Sequence, residues 1–197
     1  GTVNTCDTNK QELSNMMVGR PVQLVIDKTQ ARPGEEILHV EDLCVLSHLH
    51  KRNAVDHVSF SVRAGEIVCI AGIDGNGQTE LIHGLTGLDK ITGGSVTLCG
   101  ETITHASIRR RSKNMSHIPE DRHKHGLVLD FTLEQNLVLQ RYKEPQFQHG
   151  GFIRRDAVRA YADRLIEQFD VRSGQGAVTI ARSMSGGNQQ KAIIARE

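Results

Sequence analysis

Ala71-Gly72-Ile73-Asp74-Gly75-Asn76-Gly77-Gln78-Thr79-Glu80-Leu81 is the stretch that decides the fold. It follows an apolar run over residues 66–71, which predicts a buried strand, and it precedes a predicted helix over residues 79–85. A strand, a glycine-rich turn and a helix in this order are typical of a phosphate-binding loop. The pattern G-x-x-x-x-G-K-[ST] is matched from Gly72 to Thr79 except that Gln78 replaces the lysine. The open alternative is a glycine-rich turn of an ordinary α/β domain.

The chemistry of such a loop explains both the match and the mismatch. Glycines let backbone N–H groups approach phosphate oxygens, and the helix that follows directs its positive end at the same anion. The Thr79 hydroxyl is placed to reach Mg²⁺, whereas Gln78 lacks the lysine's charge, a loss of roughly 1.5–3 kcal/mol, and Asp74 adds a negative charge. The predicted nucleotide-binding residues are Gly72, Asp74, Gly75, Asn76, Gly77, Gln78, Thr79 and Glu80.

Composition excludes several classes of protein. The net charge of +1 gives no indication of nucleic-acid binding, and no apolar run is long enough to cross a bilayer. The four cysteines and ten histidines show no metal-ligand spacing, so we predict reduced thiols in a cytosolic protein and no histidine metal site. The chain lacks an initiator methionine and stops within a helical pattern at Glu197, so we expect a piece of a longer protein.

The chain divides into an N-terminal tail and a larger α/β unit. A short helix is predicted before Gly19, and its apolar face, expected to pack, carries Leu13, Met16 and Met17. Residues 21–35 are typical of a linker, with a domain boundary near Gly34. Strands are predicted over residues 37–43, 55–62 and 95–100, and residues 86–88 and 92–94 are predicted to flank a turn. This pattern indicates an α/β core that carries a small antiparallel sheet.

The second half is predicted to be mostly helical. Residues 115–127 have the charged centre of a surface loop leaving a strand. Thr132 and Gln135 form a capping-box pattern before one helix, and Asp156 opens another. Near the end, Ser185 is a predicted N-cap, and Gly186 and Gly187 leave bare backbone at a helix start, which favours a second anion site.

Together these segments resemble the ATP-binding subunits of ABC transporters. The stretch Ser185-Gly186-Gly187-Asn188-Gln189 resembles their signature motif, and Gly72 to Thr79 resembles their Walker A loop. Glu120, within Pro119-Glu120-Asp121-Arg122, lies at the Q-loop position in place of the usual glutamine. The amino-acid sequence of these motifs is most similar to that of the second nucleotide-binding domain of tandem ATPases that serve simple-sugar and nucleoside importers.

The resemblance implies a P-loop NTPase (RecA-like) core with an antiparallel β subdomain and an inserted helical subdomain, truncated before Walker B. It implies that residues 1–35 are the tail of a preceding domain plus a linker. Residues 36–197 would be the second domain, with core and β subdomain over 36–120, helical subdomain over 121–184, and signature and helix over 185–197. No complete catalytic set is expected here, so the piece alone is expected to be inactive.

The resemblance also implies cofactors and partners. ATP and Mg²⁺ would bind weakly or not at all at the domain's own loop, while Ser185, Gly186 and Gly187 would serve the partner domain's site. The partners implied are another nucleotide-binding domain, transmembrane permease subunits and, indirectly, an extracytoplasmic binding protein, at the cytoplasmic side of the membrane. A non-catalytic nucleotide-sensing module and a soluble ABC protein outside transport remain the alternatives.

Overall fold

The computed structural model describes residues 2–19, 21 and 28–197. The helices are α1 Lys10–Val18, α2 Gln78–Thr86, α3 Ile108–Arg111, α4 Leu133–Leu137, α5 Arg155–Gln168 and α6 Gly186–Arg196. The strands are β1 Glu36–Leu46, β2 Asn53–Arg63, β3 Ile91–Leu98, β4 Glu101–Thr102, β5 Gln148–His149 and β6 Phe152–Ile153. The three strands predicted over residues 37–43, 55–62 and 95–100 are confirmed as β1, β2 and β3, except that β3 ends at Leu98 and residues 99–100 form a turn.

An antiparallel sheet in the order β2-β1-β3-β4 forms the β part of the molecule. Its core consists of side chains that are fully or nearly fully buried, among them Val40, Leu43 and Val45 of β1 and Val96 of β3. Leu81 and Leu85 of α2 belong to the same apolar cluster. The sheet thus provides the surface on which α2 packs, and this packing fixes the position of the glycine-rich loop.

Residues 86–88 and 92–94 flank a turn as predicted, since α2 ends at Thr86 and β3 begins at Ile91. Within β3, Gly93 pairs with Cys44, and the register shifts between Glu41 and Cys44, as in a β-bulge. Gly94 has φ +82°, and a Cβ there would stand 2.3 Å from the carbonyl oxygen of Asp42. Glycine is needed at this position because the bulge brings two backbones together.

The buried strand predicted over residues 66–71 is wrong. These residues form an extended segment that pairs with no other strand among residues 2–19, 21 and 28–197. Ile67 is 90% exposed and Ile70 is 47% exposed. An apolar run becomes a buried strand only where a neighbouring strand satisfies its backbone groups and covers its side chains, and the described residues provide none.

The helical part is built around α4, α5 and α6. Leu133 and Leu137 of α4 meet Ala162 and Leu165 of α5 and Ala192 of α6 in one buried cluster. Thr132 and Gln135 form both hydrogen bonds of the predicted capping box. The helix predicted from Asp156 begins one residue earlier, at Arg155.

The N-terminal helix is formed but not packed. Helix α1 ends at Gly19 in the left-handed conformation, as predicted, yet none of its residues is buried and Met17 is 87% exposed. The predicted packing of its apolar face is therefore not seen, and part of the predicted linker, residues 22–27, lies outside the described residues. Within the described residues, the longest helices are too short or too polar to span a lipid bilayer.

Candidate functional site

The glycine-rich loop turns into α2 through two glycines with positive φ. Gly75 has φ +85° and Gly77 has φ +94°. A Cβ on Gly77 would stand 2.3 Å from the carbonyl oxygen of Ala54 on β2, whereas a Cβ on Gly75 would meet nothing within 4 Å. Gly77 is therefore required both by its conformation and by the close approach of β2, and this approach sets where α2 begins.

The Gln78 side chain folds back over the loop. Its Nε2 donates a hydrogen bond to the carbonyl oxygen of Ile73 at 3.3 Å. The same nitrogen lies 1.8 Å from where a Cβ on Gly72 would stand, so a larger residue at that position would displace the Gln78 side chain. Gln78 thus closes the loop with a neutral amide at the place where the phosphate-loop pattern has a cation.

A cleft of about 480 Å³ opens beside the first turns of α2. Gln78 and Thr79 line one side of it, and Glu120, Asp121 and Lys124 line the other. The structure therefore brings the predicted Q-loop position to the Walker-like helix start. Thr79 is exposed, so its hydroxyl is accessible to a metal-bound phosphate in this cleft.

A second cleft of about 610 Å³ lies against the other side of the loop. Gly75, Asn76, Gly77 and Glu80 line it together with the β1–β2 connection, residues 47–52. Leu49 and His50 project from that connection, and the cleft has no Phe, Tyr or Trp in its lining. Asp74 is exposed at the loop and borders neither cleft.

The charged segment after Glu120 forms a helical turn, not an irregular loop. Residues Arg122–Gly126 form one wide helical turn. Asp121 caps this turn, since its Oδ1 accepts hydrogen bonds from the backbone N–H groups of His123 at 2.8 Å and Lys124 at 3.0 Å. These bonds favour the carboxylate, with the Lys124 amide contributing most, and they lower the pKa of Asp121.

The start of α6 differs in one respect from the prediction. Ser185 occupies the N-cap position, but its side chain makes no hydrogen bond to the helix backbone. Its Oγ instead accepts a hydrogen bond from the Asn188 Nδ2 at 2.9 Å. Ser185 is therefore the N-cap residue, as predicted, but its hydroxyl bonds to the Asn188 amide and not to the helix backbone. Ser185 and Gly187 are both exposed, and a Cβ on Gly187 would meet nothing within 4 Å.

The charged segment and α6 are joined through Gln189, which is 4% exposed. Its Nε2 donates to the carbonyl oxygen of Ala181 at 2.9 Å. Its Oε1 lies 3.3 Å from Arg122 Nε and 3.1 Å from His123 Nε2. The sequence predicts Gln189 as a signature residue but does not identify Arg122 or His123, whose one signal was their place directly after Glu120 and Asp121.

The predicted site residues thus form two groups. Gln78, Thr79 and Glu120 share one cleft, whereas Ser185–Gln189 line neither cleft. Arg122 and His123 are the contacts that connect the second group to the charged segment. The two anion sites predicted from the sequence are therefore separate surfaces of this chain.

A sequence model of the family described as ABC transporter matches residues 55–197. The chain belongs to the ABC-transporter ATP-binding family. It is 45% identical over its whole length to the nucleoside import ATP-binding protein NupA of Lactococcus lactis subsp. cremoris. It is also 45% identical to the guanosine import ATP-binding protein NupO of Bacillus subtilis, again over its whole length. The ABC-family chain spans 38% of the length of each of these relatives.

Solved structures confirm the fold class of this ABC domain. One is the dimeric, post-hydrolysis state of an ATP-binding cassette bound to ADP and Pi, with a TM-score of 0.63 at 20% identity over 81% of this chain and 68% of that one. Another is the ATP-binding subunit of an ABC transporter, with a TM-score of 0.60 at 22% identity over 81% of this chain and 60% of that one. At such identities the likeness concerns the fold alone.

An ABC domain implies ATP, typically with Mg²⁺, and the loop fits this group in shape. The positive φ angles of Gly75 and Gly77 give a loop that curls ahead of a nine-residue helix, and Thr79 offers a hydroxyl in the adjoining cleft. The loop fits less well in charge, because Gln78 provides no positive charge for the phosphates of ATP. Of the residues lining the cleft, Lys124 is the one with a permanent positive charge, and it comes from the opposite wall.

Proposed function

We propose that this chain is part of the ATP-binding component of an importer in which ATP hydrolysis drives the uptake of nucleosides or simple sugars. The observation that carries the proposal is the 45% identity to NupA and NupO over all 197 residues. Glucose and ribose import ATP-binding proteins match at 38% and 33% identity, which supports the wider sugar class. The partners are membrane permease subunits at the cytoplasmic face and, through them, an extracytoplasmic binding protein.

Within that component, residues 36–197 act as a domain whose own loop is degenerate and whose signature motif serves a partner domain. The Gln78 amide supports the first half, because it is neutral and already donates to Ile73. The exposure of Ser185 and the open space at Gly187 support the second half, because both residues are accessible to another domain, although Arg122 lies beside Gly186. A helix start with bare amides stabilises charge on a phosphate that another domain holds.

The test uses the complete transporter, reconstituted with the full-length parent protein. Ser185→Arg places a bulky cation at the exposed helix start, and we expect it to abolish ATPase activity and import. Thr79→Ala alters only the site weakened by Gln78, and we expect a smaller loss. Ser112→Arg is the matched control, because Ser112 is an exposed serine that lines neither cleft and makes no hydrogen bond to the start of α6.

Circular dichroism confirms that each variant is folded. A larger loss from Thr79→Ala than from Ser185→Arg would mean that the domain's own loop consumes the ATP. Normal ATPase activity without coupled import in all variants would favour the alternative of an ABC protein outside transport. Nucleotide binding without turnover in the wild type would favour a sensing or docking module.

A further inference from the structure

Three side chains from separate segments converge at the C-terminal end of α2. His83 lies in the last turn of that helix, Asp89 follows the helix, and His48 comes from the β1–β2 connection. Asp89 Oδ2 is 2.8 Å from His48 Nε2 and 3.3 Å from His83 Nδ1. The three potential ligand atoms all lie within 4.8 Å of one another. Sequence spacing does not indicate this cluster, because the β1–β2 connection is distant from α2 in the chain.

The backbone fixes two of the three side chains firmly. Gly87 ends α2 in the left-handed conformation, with φ +86°. The carbonyl oxygen of His83 then accepts the N–H groups of Gly87, Leu88 and Asp89 at 2.9, 2.8 and 3.1 Å. This turn returns the Asp89 carboxylate to the His83 ring, and both side chains are largely buried, at 13% and 20% exposure. They form a preorganised pair of ligands.

The third side chain, His48, is exposed to solvent, but hydrogen bonds of Ser47 hold the backbone around it. His48 is 63% exposed. Ser47 holds the connection around it, because its N–H donates to the Arg52 carbonyl and its Oγ accepts the N–H groups of Leu49 and His50. His48 can therefore adjust to a ligand without disturbing the sheet.

Two imidazoles and one carboxylate are a donor set for Zn²⁺ and similar divalent transition metals. Bonds of about 2.0–2.2 Å in a tetrahedron place ligand atoms about 3.3–3.5 Å apart. The Asp89–His83 separation of 3.3 Å matches this spacing, and the Asp89–His48 separation of 2.8 Å is shorter, so the exposed His48 side chain has to move outward to bind a metal. We propose that His48, His83 and Asp89 form a Zn²⁺-class site, with water as the fourth ligand. It is independent of the proposed transport function.

A metal at this site would connect the β1–β2 connection to the C-terminal end of α2. The connection that carries His48 is also a wall of the 610 Å³ cleft beside Gly75 and Gly77. A metal bound by His48, His83 and Asp89 ties this wall to the end of α2, and so holds the cleft at a fixed width. This is a role for a metal outside the Mg²⁺ that accompanies ATP.

A second cluster with ligand chemistry provides the internal control. Cys44, Asp56 and His57 also bring their ligand atoms within 4.8 Å. There, however, His57 Nδ1 is bonded to Asp42 at 2.7 Å, and Cys44 Sγ accepts the His57 N–H at 3.4 Å. Asp42 is not a member of that cluster, so its bond occupies His57 Nδ1 from outside. The bonds at 2.8 and 3.3 Å in the His48 cluster join its own members, and we therefore assign the site to the His48 cluster.

The experiment titrates Zn²⁺ into the chelator-stripped chain by calorimetry and Co²⁺ by visible absorption. We expect one tetrahedral site per chain, without the intense near-ultraviolet band of a thiolate ligand. His48→Ala should weaken binding at least about tenfold, since losing even an outer-shell partner costs about 10–100-fold. Asp89→Asn should remove the Co²⁺ spectrum, while His50→Ala and His57→Ala leave it unchanged.

His48 is exposed, so its replacement does not threaten folding and keeps the test decisive. Absence of binding by the wild type, or wild-type affinity in both His48→Ala and Asp89→Asn, would overturn the proposal and leave an ion-paired cluster. Loss of the site in His57→Ala, together with a thiolate band, would overturn it in favour of the Cys44 cluster.

Discussion

The Arg122 guanidinium lies across the first turn of α6, with its Nε 3.3 Å from Oε1 of Gln189. Its Nη2 lies 2.9 Å from where a Cβ on Gly186 would stand. A cation at a helix start gains nothing from the helix dipole, which is positive there. The amide oxygen of Gln189 is the group that holds it, so Gln189 attaches the segment after Glu120 to the signature helix.

Replacing Gln189 by leucine tests this attachment. The change keeps the approximate volume but removes the acceptor for Arg122 and His123 and the donor to Ala181. We expect unfolding free energy to fall by roughly 1–2 kcal/mol, because the Ala181 carbonyl keeps only the Met184 N–H as donor. Urea unfolding measures the difference. The control is Gln190→Leu at the adjacent exposed position, and equal effects of the two changes would contradict the attachment.

A matched pair of glycine substitutions tests the loop geometry. Gly75→Ala introduces only the left-handed penalty of about 1–2 kcal/mol, because a Cβ there meets nothing. Gly77→Ala adds a clash with the Ala54 carbonyl and should cost roughly 1–3 kcal/mol more. Thermal unfolding of both variants gives the comparison. If the two lose the same stability, β2 does not constrain the start of α2.

Local patterns predicted the elements that depend on neighbours in sequence. Local sequence patterns predicted β1 and β2, and the Thr132–Gln135 capping box predicted the start of α4, because such patterns are satisfied within a few residues. The strand predicted over residues 66–71 was wrong because a buried strand depends on strands elsewhere in the chain. The β-bulge at Gly93 and Gly94 was not predicted, because it depends on the pairing of β3 with β1.

Arg111 shows why some parts of the structure could not be predicted. It is 4% exposed, and its guanidinium donates to the carbonyl oxygens of Leu85, Gly84, Thr104 and Ala106. Two of these carbonyls belong to the C-terminal end of α2, where a cation is favoured by the helix dipole. In the sequence, Arg111 is one of three consecutive arginines, which predict a solvated face. Burial lowers its pKa without removing its charge.

Replacing Arg111 by methionine leaves those carbonyls without their charged donor. We expect a loss of at least about 3 kcal/mol of unfolding free energy, since hydrogen bonds to charged groups contribute about 1.5–3 kcal/mol. Arg110→Met is the matched control. It removes only an exposed ion pair with Glu101, for which about 0–1 kcal/mol is expected. Chemical denaturation of the two variants should rank them clearly, and a similar cost for both would show that the buried bonds contribute little.

The turn after Glu120 should loosen in acid. The pKa of Asp121 is lowered in the folded chain by the amides of Lys124 and His123, so its cap stabilises the turn above the unfolded pKa of about 3.8. That stabilisation is lost as the pH falls through the lower, folded pKa. NMR titration of the carboxyl, with amide exchange at His123 and Lys124, follows the change. Asp121→Asn should remove the pH dependence, and persistence of it in that variant would assign it to another group.

The neutral Gln78 amide, which bonds to the Ile73 carbonyl oxygen, should limit how tightly this domain binds ATP. In the full-length parent, Gln78→Lys replaces a neutral donor beside Gly72 and Ile73 by a cation on a flexible stem. A charge-assisted bond to phosphate contributes about 1.5–3 kcal/mol, so ATP should bind about tenfold to a hundredfold more tightly at this domain. Calorimetry measures the affinity. The partner domain's loop is disabled, so that one site is observed. Gln190→Lys is the control for added surface charge, since Gln190 is exposed and borders neither cleft.

Equal affinity of wild type and Gln78→Lys would mean that another cation already compensates for the glutamine, and Lys124 across the cleft is the first candidate. In that case Lys124→Gln should weaken ATP binding in the wild type, and the description of this loop as degenerate would be wrong.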